Sequence, residues 1–221
     1  MERIPLYFDF ISPYAYFAHL KVEWIESSHD VEIEYRPVLL AAILDHHGHL
    51  GPAEIESKRE VTFRDVSRYA ATHEIPLIGP ATHPFNPITA LRLALPEVSG
   101  DDQAMVIDTL FRDSWGLGID LSDPAQLAAA LDEVDLPGDE WVAKTKEPEV
   151  KEALKASTMT AIERGVFGVP TFEVRGELIW GNDRISTLEA ILEGHDPLPE
   201  DEVQRLLAKP RGAERPGAKR G

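Results

Sequence analysis

The 221-residue chain contains no cysteine. That absence excludes a structural disulfide framework, a cysteine-ligated metal and any dithiol chemistry carried by the protein itself. If thiol chemistry occurs here, a ligand brings the thiol. The sequence also has no apolar run near the roughly 20 residues that a membrane-spanning helix needs. Its N-terminus, MERIPLYFDF, turns strand-like at once and shows no charged n-region, apolar h-region or small-residue cleavage site, so a cytoplasmic protein is expected. Positive charge is scarce. With 22 Lys or Arg against 39 Asp or Glu, the formal net charge is −17, a surface that repels phosphate backbones and argues against nucleic acid as a partner. The tail after Ala208 has the opposite sign. It holds five Lys or Arg and one Glu, a local balance of +4 that leaves −21 on the rest. Residues 197–221 are therefore expected to form a disordered extension.

What is present organises simply. Ile4 to Phe10 is apolar and aromatic without a helical period, which predicts a strand. Ser12 then stands where a helix N-cap belongs, and Pro13 at the first helical position. Tyr14, Phe17, Ala18, Val22 and Ile25 recur at i, i+3 and i+4 spacing and predict a helix from about Pro13 to Ser27. Val31 to Tyr35 alternates as a half-buried strand, closing a strand-helix-strand unit over residues 1–37. From 38 to 165 no strand is legible. Helical patterns recur at Leu39–His46, Pro52–His73, Asn86–Leu95, Asp101–Leu117, Pro124–Leu131 and Pro148–Gly165, separated by breakers such as GHLGP and DLPGD. Strands return over 166–196. Thr171–Val174 and Leu178–Trp180 flank Arg175-Gly176-Glu177 as a hairpin, and a last amphipathic helix begins at Asp183. Neither outer piece can bury its sheet faces alone, so the two form one α/β domain with the helical block inserted.

The order β-α-β, helices, β-β-α resembles a thioredoxin-like fold, and a long helical insertion is a DsbA-like feature. Ser12-Pro13-Tyr14-Ala15 lies where such proteins carry their redox dithiol. Gly168-Val169-Pro170-Thr171 resembles the loop whose cis proline faces the active helix. With FDFISPYAYFA, GVFGVPTF and IWGNDR together, residues 3–195 resemble the 2-hydroxychromene-2-carboxylate isomerases and kappa-class glutathione transferases. The resemblance implies glutathione as cofactor, a small aromatic substrate and a homodimer. It also implies that the backbone edge beside Val169-Pro170 pairs with the ligand. Lys58, seven residues before Asp65, matches a lysine of the family. The Gly-Asn pair that often contacts glutathione there is absent, replaced by Gly48-His49-Leu50-Gly51-Pro52.

The residues support a chemistry consistent with this. A helix N-terminus offers unpaired N–H groups, and Ser12 adds an O–H donor, so together they can lower the pKa of a bound thiol. Ser12 can also be only a cap. Asn182 and Asp183, at the last helix, can meet the α-amino end of a γ-glutamyl group, or can simply cap. Tyr14, one turn from Ser12, and Trp180, just before Gly181, are candidate walls of an aromatic substrate pocket. His46-His47-Gly48-His49 lacks an i, i+4 pair and is expected to be a helix end rather than a metal site. Leu40, Ile43 and Leu44 exceed one helical stripe, which adds a thin argument for a dimer. The expected activity is a glutathione-dependent isomerase working through a transient thiol adduct. The alternatives are a kappa-type transferase and a non-catalytic thioredoxin-like module.

Overall fold

Alternation along the first strand sets the architecture. In the computed structural model, which describes residues 1–212, β1 (Glu2–Phe8) sends Ile4, Leu6 and Phe8 to one face of the sheet and Tyr7 to the other. It pairs in parallel with β2 (Val31–Pro37) and antiparallel with β3 (Thr171–Val174), which pairs antiparallel with β4 (Glu177–Trp180). The strand order is β2-β1-β3-β4. Thus the fold is thioredoxin-like and DsbA-like, with all the described strands near the two ends of the chain and helices between them.

The β3–β4 hairpin closes through two residues rather than three. Arg175 and Gly176 both have positive φ, 51° and 86°, the backbone that a two-residue turn with the right twist requires. Glu177 therefore belongs to β4.

The expected helix from Pro13 to Ser27 is broken in two. Helix α1 (Pro13–His19) ends at Leu20, and α2 (Val22–His29) follows. The Lys21 N–H reaches back only three residues, to the Ala18 carbonyl, so the backbone tightens between the two segments. Val22 and Ile25 are still buried. Helix α3 (Leu40–His47) then ends on Gly48 with φ 66°. Among the described residues no three His, Asp or Glu side chains form a group able to hold a metal. His47 instead uses Nε2 on the Val166 carbonyl at 3.3 Å.

The helical block continues through α4 (Glu56–Thr72), α5 (Ile88–Leu93), the single turn α6 (Pro96–Ser99) and α7 (Gln103–Phe111). A π-helical segment, 112–117, extends α7, and α8 (Pro124–Asp132), α9 (Gly138–Lys144) and α10 (Pro148–Glu163) complete the block. Helix α9 falls where DLPGD reads only as a breaker. Gly138 is what admits it: an added Cβ would lie 2.1 Å from the Ala128 carbonyl oxygen, so α8 and α9 meet backbone to backbone. The block is continuous with the sheet in its packing. Leu91, Phe111, Trp115 and Leu127 share one core with Ile4, Phe8, Phe17 and Phe172. On the other sheet face, Tyr7, Val38, Ile43, Ala161, Val166 and Val169 form a smaller cluster. Ile43 is fully buried and Leu40 packs against that cluster, so the apolar surplus of α3 is largely satisfied inside the protomer and does not argue for a dimer.

After α11 (Ile185–Leu192) the extension is not structureless throughout. Helix α12 (Glu200–Leu207) forms behind Pro199, with three acidic residues in its first turn and Arg205 in its last. EDEVQRLL is amphipathic, which a view based on charge and proline content alone overlooks. No residue of α12 is buried. The expectation of disorder for 213–221 lies outside the described residues. No described helix is long and apolar enough to cross a membrane.

Candidate functional site

The site begins with a loop that is held from several sides. Asp9, at the end of β1, is 1% exposed; its Oδ1 accepts from the Ile11 N–H at 3.1 Å and its Oδ2 from the Leu40 N–H at 2.9 Å. Burial pushes its carboxyl up to about 7, against the two backbone bonds that favour the anion. The Trp115 Nε1–H donates to the Phe10 carbonyl at 2.9 Å. His83 Nε2 lies 2.9 Å from the Ile11 carbonyl, which can only accept, so that nitrogen carries the proton. The His83 ring stands edge-on to Phe63 at 5.2 Å and to Trp115 at 5.6 Å. Burial pulls its imidazole below the ordinary value, consistent with a neutral ring.

Ser12 follows. Its backbone is extended (φ −93°, ψ 116°), and its Oγ accepts from the Ala15 N–H at 3.2 Å, so it does cap α1, with Pro13 at the first helical position. Its own proton has a poorer partner. The Val169 carbonyl lies 3.4 Å away, longer than an ordinary O–H···O bond. The capping and donating roles use different parts of one hydroxyl and do not conflict.

The Val169–Pro170 bond is cis. Val169 is buried, and its N–H has no hydrogen-bond partner among the described residues. The Pro170 carbonyl is taken by the Gly181 N–H at 2.9 Å, which ties this loop to the end of β4. Gly168 passes directly under Trp180: a Cβ there would lie 2.7 Å from the indole Nε1. Trp180 is 52% exposed and meets Phe167 edge-on at 5.0 Å.

The remaining predicted residues sit around this centre at different ranges. Asn182 is buried, in a 3-10 turn (Asn182–Arg184) that precedes α11; Asp183 therefore lies in this turn rather than starting the α-helix. That turn packs against α1. The Asp183 carboxylate is largely exposed and pairs with Arg184 Nη1 at 3.2 Å, a contact that water screens heavily. Tyr14 donates to Asp65 Oδ2 at 2.8 Å. Burial first, then Asp65, holds its phenol well above the ordinary value, and the charge of Asp183 adds to this. Tyr14 thus links α1 to α4 within electrostatic reach of Asp183. Lys58 is exposed on α4, seven residues before Asp65. Seven residues is two helical turns, so Lys58 lies about 10 Å along the same helix face from the Tyr14 contact.

Two kinds of site residue are missed by sequence reasoning. Asp9 is visible as an acid at a strand end, but its burial is not. His83, Phe63 and Trp115 come from three separated segments of the helical block and carry no local pattern that points to Ser12.

The DSBA-like thioredoxin domain model matches residues 3–193. A 2-hydroxychromene-2-carboxylate isomerase of Sphingobium xenophagum is 33% identical over 194 residues, covering 86% of this chain and 98% of that protein. The chain belongs to the DsbA-like family, in its 2-hydroxychromene-2-carboxylate isomerase branch. The solved structure of a 2-hydroxychromene-2-carboxylate isomerase superposes with a TM-score of 0.79 at 25% identity, covering 94% of this chain and all of the other. A kappa 1 glutathione S-transferase of Caenorhabditis elegans is 24% identical over 214 residues, with 90% and 95% coverage. The sequence similarity thus extends to both the isomerases and the kappa-class transferases. Helix α12 lies beyond the residues that the family model matches.

Proposed function

We propose that the protein is a glutathione-dependent isomerase acting on an aromatic ring-fission product. The observation that carries this is a pair of donors at one place that are free among the described residues: the Ser12 hydroxyl proton, held only by a 3.4 Å contact, and the unpartnered N–H of the adjoining Val169. A cysteinyl backbone laid along Val169 would gain that N–H as in strand addition, and its sulfur would then fall near Ser12 and the first N–H groups of α1. Glutathione supplies the thiolate that adds transiently to the substrate and is then released unchanged.

The protein's part is to bind, orient and stabilise charge. Ser12 donates to the sulfur anion while its lone pair keeps the Ala15 N–H capped. Asp183, exposed beside α1, receives the α-amino group, and Asn182 contacts the same end of the ligand from the adjoining position of the turn. Lys58, on the rim, takes a carboxylate. Tyr14 and Trp180 flank the opening and provide apolar walls for the ring. His83, neutral and locked on Ile11, keeps the loop from shifting when the site fills. A kappa-type transferase has the same first step, and the similarity to the C. elegans enzyme supports it as the second reading. We further propose a cytoplasmic homodimer, to be checked by light scattering.

Calorimetric titration with glutathione, followed by product analysis with a 2-hydroxychromene-2-carboxylate, tests the assignment. Binding with turnover and no net consumption of glutathione is expected. A conjugate accumulating in step with substrate loss would establish the transferase instead. Absence of glutathione binding would leave a binding module.

A further inference from the structure

A second cavity lies apart from the thiol site, where α3, α5 and α10 meet. It has a volume of about 180 Å³, and none of its lining residues belongs to the site described above. Its walls are apolar: Leu39, Ile88, Leu154 and Met159. A closed cavity of ~150 Å³ holds benzene; this one has the volume for one aromatic ring but opens to solvent at its Lys151, Lys155 and Met159 rim.

The polar part of the lining is cationic. Arg92 from α5 and Lys151 and Lys155 from α10 border the cavity, with no Asp or Glu among the lining residues. In a chain of net charge −17 this is a local inversion of sign. Lys151 and Lys155 stand at i, i+4 spacing, an arrangement that two like charges disfavour unless something negative lies between or beside them. Among the described residues Lys155 pairs with Glu152 on the outer surface, at 3.3 Å with both side chains about 70% exposed, a weak pair. Arg92 is short of partners. Its Nη1 reaches the Thr145 carbonyl at a long 3.5 Å, and its Nε is buried with no hydrogen-bond partner among the described residues. That Nε is closed off from the cavity, so an anion there would take the remaining guanidinium N–H groups, which the long Thr145 bond leaves largely free. Thr158, the one neutral polar side chain of the lining, is already committed: its Oγ1 accepts from the Leu39 N–H at 3.0 Å and donates to the Leu154 carbonyl at 2.9 Å. Recognition of a polar group therefore falls to the three cations.

We propose that this cavity is a binding site for a small aromatic monocarboxylate, its ring against Leu39, Ile88 and Leu154 and its carboxylate between Arg92, Lys151 and Lys155. The site is independent of the thiol chemistry, so it stands or falls separately from the isomerase assignment.

The test is calorimetric titration of benzoate into the full chain, with and without saturating glutathione, and of benzyl alcohol as the uncharged control. Benzoate is expected to bind in the millimolar range or tighter, benzyl alcohol more weakly, with the benzoate affinity unchanged by glutathione. Arg92→Met should weaken benzoate about tenfold or more, as loss of a charge-assisted bond requires. Because Arg92 is partly buried, the paired surface change Lys151→Gln with Lys155→Gln serves as the second variant and should weaken benzoate in the same direction. Lack of benzoate binding to the unmodified protein overturns the proposal. So does equal affinity in either variant, or displacement of benzoate by glutathione. If benzoate fails to bind and the lysine variant instead changes the oligomeric state, the cavity docks a second copy and the proposal is wrong.

Discussion

Replacing Ser12 separates two things that one hydroxyl does. In Ser12→Ala the Ala15 N–H loses its 3.2 Å acceptor, a capping loss of about 1 kcal/mol. The 3.4 Å contact to Val169 is too long to add much. For a domain of this size that predicts a fall in Tm of roughly 2–4 °C. The chemical effect should be larger. A neutral donor to a buried anion contributes about 1.5–3 kcal/mol, or roughly one to two units in the pKa of the bound thiol. At neutral pH the rate should then fall about ten- to a hundredfold, while glutathione affinity changes little because most of its contacts lie elsewhere. Ser12→Gly is the discriminating variant. Glycine costs only a few tenths of a kcal/mol as an N-cap, yet it lacks the O–H altogether. It should melt close to the unmodified protein and still show the raised thiol pKa. The assay is ultraviolet absorbance of the bound thiolate against pH, run beside thermal unfolding. If both variants bind glutathione with an unchanged thiol pKa and turn over at the original rate, Ser12 is a cap and nothing more.

Three other outcomes follow from the geometry. Asp9 has its carboxyl raised from 3.8 to about 7, so the native state holds the proton more tightly than the unfolded chain. Stability from this group is therefore full below the ordinary carboxylate pKa and is lost as pH rises toward neutrality, by up to about 4 kcal/mol. Urea unfolding between about pH 4 and pH 8 should show that decline, and Asp9→Asn should flatten it; an equal slope in the variant would refute the assignment. Gly138→Ala would place a Cβ 2.1 Å from the Ala128 carbonyl oxygen, which is backbone and cannot swing aside. It should cost roughly 3 kcal/mol, read by chemical denaturation, and a loss under about 0.5 kcal/mol would show that α8 and α9 are not in close contact. Gly168→Ala meets the Trp180 indole at 2.7 Å, but that side chain is 52% exposed and free to move. Stability should change by less than about 1 kcal/mol while the near-ultraviolet dichroism of the tryptophans changes and glutathione binding weakens.

Much of this protein is legible along the chain. The strand-helix-strand start, the strand-free middle and the closing hairpin follow from periodicity, capping residues and turn residues, all of which act within a few positions of each other. Ser12 as a cap with Pro13 behind it is of this kind, and so is the absence of protein thiols. Exact boundaries are not local in this way. The break at Leu20 and Lys21, the two-residue turn at Arg175-Gly176 and the 3-10 turn before α11 depend on where neighbouring elements pull the backbone. Helix α9 was hidden because Gly138 looks like a breaker in sequence and is a point of close helix approach in space.

What only the tertiary structure decided is which groups meet, and in what medium. Ser12 and Val169 are 157 positions apart, and no local pattern joins them; only the family resemblance placed them together. His83 and Trp115 reach the Ser12 loop from two separate segments, and Phe63 packs on His83 from a third. Asp9 is a strand-end acid in the sequence; its raised carboxyl pKa comes from the protein that closes over it. Arg92 reads as an ordinary helical arginine until packing takes its Nε out of water. The physical reason is the same throughout. Local structure depends on backbone geometry that neighbouring residues set directly, whereas burial and charge depend on the whole core that the folded chain forms around them.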